Sequence, residues 1–75
     1  MQRAEPEWAI GPDIDGMPGR VGDLVFWRDA DRRPWWIVEW QPNNGMSFAI
    51  VDAAGVVGVA SPSELTRDFR NAGGK

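Results

Sequence analysis

Seventy-five residues with no Cys, no His and no Tyr exclude disulfide staples, thiolate nucleophiles and imidazole bases, and leave carboxylates as the only ordinary zinc ligands. A general acid or base would have to be an Asp, a Glu or the single Lys75 in a Gly-rich tail, so enzymatic chemistry starts from a thin repertoire. A formal net charge of -3 repels phosphate backbones and anionic headgroups, and nucleic acid is not an expected partner.

A composition of 43% hydrophobic and 25% charged residues is that of one folded globular domain. No apolar run approaches the roughly 20 residues of a membrane span, and the N-terminus lacks the apolar stretch of a signal peptide. The expectation is a cytoplasmic protein with no membrane partner.

Residues 1–19 carry Pro6, Pro12 and Pro18 with Gly11, Gly16 and Gly19, a density of breakers that predicts an extended or flexible arm outside the core. Trp8 and Ile10 could pin that arm to the domain or to a neighbouring subunit. Asp13-Ile14-Asp15-Gly16 echoes the start of a calcium loop, but the third carboxylate is missing and Leu24 stands where the bidentate Glu belongs. No metal site is expected.

From residue 20 to residue 70 the pattern is strand and turn. Leu24-Val25-Phe26-Trp27 is β-prone, and the charged loop 28–34 separates it from Trp35-Trp36-Ile37-Val38-Glu39-Trp40. In that loop Asp29 and Asp31 offset Arg28, Arg32 and Arg33, which predicts a solvated connection and not an anion clamp. Pro42-Asn43-Asn44-Gly45 turns the chain into Ser47-Phe48-Ala49-Ile50-Val51-Asp52 as an antiparallel partner. Ala53-Ala54-Gly55 leads to a strand over 56–59, where Gly58 marks a bend, a bulge or a close backbone approach. Ser61-Pro62-Ser63-Glu64 matches a capping box, predicting one 3-10 turn that buries Leu65, then a last strand over 66–69 and a flexible tail over 71–75. Ser61 and Ser63 have no base to activate them and are read as capping residues.

Five short strands, a charged first loop, tight hairpins and a 3-10 turn before the last strand predict an all-β, SH3-like barrel. Gly22-Asp23-Leu24-Val25, the Ile37-Val38-Glu39-Trp40 segment and Gly55-Val56-Val57-Gly58-Val59 ahead of Leu65 resemble the framework of plasmid type B dihydrofolate reductases over residues 20–67. That resemblance implies an SH3-like barrel assembling as a homotetramer and, for a functional member, NADPH-dependent reduction. The family's pore stretch, Val-Gln-Ile-Tyr, aligns with Val57-Gly58-Val59-Ala60, which lacks the amide and the phenol. Its pore lysine falls at Trp27, with Arg28 keeping a charge one position later, and its intersubunit histidine is absent. The resemblance therefore implies a fold and self-association, with no cofactor held at the pore-equivalent positions.

A chain of this length buries only roughly 60% of the surface it exposes when unfolded, and 5 Trp leave indoles over for an interface. The barrel framework puts Trp35 and Ile37 inward and Trp36, Val38 and Trp40 outward. Glu39, in phase with Trp35, argues for the reverse, and the reading follows the framework. Val25, Ile37, Phe48, Ile50, Val57 and Leu65 are the expected core. Trp27, Trp36, Val38, Trp40 and Val51 are the expected protein interface. The functional expectation is a non-catalytic module that binds protein, most simply another copy of itself; an oxidoreductase of the resembled kind and a small virion or mobile-element accessory protein are the alternatives.

Overall fold

A computed structural model describes residues 6–28, 30–43 and 45–72. Residues 1–5 of the expected arm, 73–75 of the expected tail, Asp29 of the charged loop and Asn44 of the hairpin turn lie outside the described residues. The described chain is mostly antiparallel β-structure: β1 (Ile10–Ile14), β2 (Met17–Arg20), β3 (Leu24–Trp27), β4 (Trp35–Gln41), β5 (Ser47–Asp52), β6 (Val57–Ala60), a 3-10 turn η1 (Pro62–Glu64), β7 (Leu65–Thr66) and a second 3-10 turn η2 (Phe69–Asn71). The strands β6-β5-β4-β3-β7 form one sheet in that order, and β1 and β2 pair as a separate hairpin.

The segment expected to be an arm is that hairpin. Asp15 and Gly16 have φ of 54° and 88° between the paired Ile14 and Met17, as a two-residue turn needs when its twist must match the strands it joins. The prolines are accommodated because Pro12 falls where the register shifts between Gly11 and Asp13, and both strands are edges, so few ladder N–H groups are missed. Ile14, only 1% exposed, belongs to the core. The facing glycines Gly11 and Gly19 lie flat on aromatic rings. A Cβ on Gly11 would stand 2.6 Å from Phe48 Cε1 and 2.8 Å from Trp40 Cδ2, and one on Gly19 2.5 Å from Phe48 Cζ.

Val25, Ile37, Phe48, Ile50 and Leu65 are buried as expected, joined by Ile14, Trp35, Trp40 and Ala60. Two expectations fail through strand register. Ile37 pairs with Ile50 but Glu39 pairs with Ala49, so Val38 is an extra residue in β4. A bulge of this kind resets the alternation. Trp35, Ile37 and Trp40 all reach the core while Trp36 is half-buried and Val38 and Glu39 are exposed. The polar Glu39 and the inward Trp35 are thereby compatible, and Trp40 is corrected from the interface to the core. Val57, assigned to the core, is 66% exposed: Val51 pairs with Val57 and Ile50 with Gly58, so the inward positions of β6 are Gly58 and Ala60. Gly58 makes neither bend nor bulge there; a Cβ on it would meet Trp35 Cζ3 at 3.5 Å, an ordinary contact.

At the other end of the sheet β7 has two residues, and Phe69 lies in η2, not in a strand. Its ring meets Phe26 edge to face at 5.7 Å, and Arg32 stands over it at 4.9 Å, which buries Phe26 on a face that would otherwise be open. Ala72, assigned to the tail, is buried and bridges to Arg28. The 3-10 turn η1 forms as expected, with the Glu64 carboxylate accepting from Ser61 N at 2.9 Å.

Two carboxylates organise the connections. Asp15, in the β1–β2 turn, accepts from the Thr66 hydroxyl at 2.6 Å and Arg67 N at 2.8 Å and pairs with Arg28. The Thr66 hydroxyl above all, with the Arg67 amide and the Arg28 charge, holds its carboxyl below the usual range against the opposing effect of desolvation. The Arg67 side chain answers by donating to the carbonyls of Ile14 (2.9 Å), Met17 (3.0 Å) and Pro18 (2.7 Å) and to Asp23 (2.9 Å). The hairpin is thus locked to β7 from both sides. Asp52, buried, accepts from Ala54 N and Val56 N at 2.9 Å and from Arg33 at 3.1 Å, closing the β5–β6 turn in which Gly55 has φ 88°. The Val56 amide is the main influence that lowers its pKa.

Candidate functional site, an apolar outer sheet face

Strand pairing places Leu24 beside Trp36, Trp36 beside Val51 and Val51 beside Val57. Directly opposed residues on antiparallel strands share a face, so these four make one continuous row across β3, β4, β5 and β6. Leu24 is 45% exposed and Val57 66%, with Trp36 and Val51 half-buried between them. A second row runs Glu39, Ala49, Val59, with Val59 52% exposed and bulged Val38 beside Glu39. Glu39 is the only charged side chain in either row. The β6 strand bonds to β5 on one side and ends the sheet order on the other, leaving a backbone edge next to the apolar rows.

Of the expected interface residues, Trp36, Val38 and Val51 lie on this face. Trp40 does not, being in the core, and Trp27 packs half-buried against Trp35 with ring centroids 6.4 Å apart. The pore-equivalent stretch is divided by its own alternation: Val57 and Val59 point to the outer face, while Gly58 sits by the Trp35 ring and Ala60 is buried. Leu24 was missed in the sequence. Its signal was there, since a strand with Val25 inward must turn Leu24 outward.

Among the described residues of the charged loop the three arginines go to different partners. Arg28 pairs with Asp15, Arg32 donates to the Phe69 carbonyl at 3.3 Å, and Arg33 pairs with Asp52 and Asp31. Trp35 Nε1 is the one buried side-chain nitrogen or oxygen without a hydrogen-bond partner among the described residues; it belongs to the core. Among the described residues no three of His, Cys, Asp and Glu come together as a metal would require, and no helix is long and apolar enough to cross a membrane. What the arrangement offers chemically is a registered, mostly apolar surface of β-branched and aromatic side chains, with Glu39 as the charge in its second row. No protein-family model, no curated protein and no solved structure matches the chain.

Proposed function

We propose that this chain is an SH3-like barrel module without catalytic activity, which associates with a second copy of itself through the outer face of β3–β6. The five-strand order with a 3-10 turn ahead of a short last strand supports the barrel assignment. The observation that carries the association is the exposed row Leu24, Trp36, Val51, Val57. A row of this kind is larger and more continuous than the scattered apolar residues of an ordinary surface, and an indole at its centre is a typical anchor. A two-fold contact brings the same patch onto itself, and with no charge in the central row it meets no like-charge repulsion there.

Sedimentation from micromolar to millimolar concentration is expected to show concentration-dependent association. Val57→Asp, at a position too exposed to matter for folding, should leave the far-ultraviolet circular dichroism unchanged and the protein monomeric; Trp36→Glu should do the same more strongly. A wild-type chain that stays monomeric throughout overturns the reading. The reductase alternative makes a separate demand, since its chemistry depends on contacts that hold cofactor and substrate in register. Val57, Gly58, Val59 and Ala60 supply neither amide nor phenol, so no NADPH oxidation with dihydrofolate is expected. Saturable turnover abolished by Val59→Asp would establish that alternative instead.

A further inference from the structure

At the far end of β4 from the β5–β6 turn, a pocket of about 330 Å³ is lined by Glu7, Trp8, Glu39, Trp40, Gln41, Pro42 and Asn43. That volume is at the small end of small-molecule sites, roughly 300–1,000 Å³. Trp40 N donates to the Trp8 carbonyl at 2.8 Å, which seats the N-terminal segment alongside β4 and brings both tryptophans to one cavity. Trp40 is rigid, buried against Phe48 with centroids 4.8 Å apart, whereas Trp8 is 48% exposed. The Trp8 ring stands outside the core cluster formed by the described residues.

The charged part of the described lining is of one sign. Glu7 and Glu39 contribute two carboxylates, and no Arg or Lys is among the described lining residues. The Gln41 amide donates to Glu39 Oε1 at 3.3 Å, which orients that carboxylate without neutralising it. An exposed indole and two carboxylates, with no cation among the described residues that line this open cleft, favour a cation that carries apolar surface, because the ring quadrupole and the carboxylates attract the same charge. A strongly hydrated metal ion gains little from an indole. An alkylated ammonium gains from both walls and needs no hydrogen-bond acceptor.

We infer that the Trp8–Trp40 pocket is a binding site for a small quaternary-ammonium cation. The site shares Glu39 with the second row of the apolar face, whereas Trp8 lies outside both rows, so binding through the Trp8 ring is tested apart from self-association. Choline is the probe, compared by calorimetry with its uncharged carbon analogue, in which a tert-butyl group replaces the trimethylammonium. Choline is expected to bind saturably in the millimolar range and the analogue about tenfold more weakly, the ratio a cation–π contact of ordinary strength gives. Trp8→Ala should weaken choline by about tenfold with circular dichroism and sedimentation unchanged, and Glu39→Gln by about threefold with circular dichroism unchanged. In spectra of the wild-type chain the Trp8 indole N–H resonance, assigned by its loss in Trp8→Ala, should shift on titration with choline. Equal affinity for the analogue, absence of saturable binding, or full retention of binding by Trp8→Ala overturns the inference.

Discussion

Phe48→Ala is expected to unfold a substantial fraction of the molecules at room temperature. Phe48 is fully buried, packs against Trp40 with the rings tilted by 55°, and carries the glycine pair of the β1–β2 hairpin on its ring. Truncating a buried Phe costs about 3–5 kcal/mol, while a chain of this length has a total stability of only roughly 4–11 kcal/mol at the usual per-residue values. Gly19→Ala attacks the same contact from the other side, since its Cβ would stand 2.5 Å from Phe48 Cζ and a ring buried in the core has nowhere to turn. The two changes should therefore be far from additive. Gly19→Ala is expected to destabilise the wild-type chain and to cost much less in the Phe48→Ala background, where the new methyl enters vacated space. Urea denaturation of the four variants checks this, and additive effects would show that the hairpin does not rest on Phe48.

The second large effect is expected from Asp15→Ala. It removes the acceptor of the buried Thr66 hydroxyl and of Arg67 N and leaves Arg28 unpaired. Stranding the Thr66 donor alone costs about 1–3 kcal/mol, and each kcal/mol lowers the melting temperature of a domain this small by about 4–8 °C. Hydrogen exchange should show the β1–β2 hairpin opening more readily than β4 and β5, because the clamp joins the hairpin to β7 and not to the central strands. The same carboxylate gives a pH dependence of definite sign. The pKa of Asp15 in the folded chain lies below its ordinary 3.8, chiefly through the Thr66 hydroxyl, and Asp52 and Asp68 are lowered too, through the Val56 amide and the Arg70 side chain respectively. A depressed folded value contributes stability that is present above the unfolded pKa and is lost as pH falls through the folded one. Thermal stability should hold from neutrality down to about pH 4 and fall below it, and Asp15→Ala should flatten that fall. A variant with the wild-type slope would show that Asp15 has no part in the acid transition.

The turn chemistry was legible where the residue types leave one conformation open. Pro42, Asn43 and Gly45 lie between β4 and β5, Ser61-Pro62-Ser63-Glu64 starts η1, and Val25, Ile37, Phe48, Ile50 and Leu65 are buried. Asp15-Gly16 has the residue types of a two-residue hairpin turn, yet the expectation for residues 1–19 is an arm, and the hairpin is a correction to it. Surrounding breakers obscured it, and they are tolerated because a two-stranded hairpin consists of edges and one bulge takes Pro12. The candidate face was half legible: Trp36, Val38 and Val51 stand on it, Trp40 and Trp27 do not.

Composition, turn residues and alternation by themselves determined an all-β chain, the places where it turns and most of its core, since these depend on local backbone preference and on the period of two within a strand. Which side of each strand meets the core after a bulge was decided only by tertiary pairing. Val38 became the extra residue of β4 because both Trp35 and Trp40 gain by burial against Phe48, Ile50 and their neighbours while Glu39 must reach water, a choice made by the packing of five strands and invisible to any one of them. The same holds for the hairpin clamp. Asp15 and Arg67 lie 52 residues apart, and only the fold brings the lone turn carboxylate to the Thr66 hydroxyl and the hairpin carbonyls to a guanidinium whose planar fork can satisfy them together.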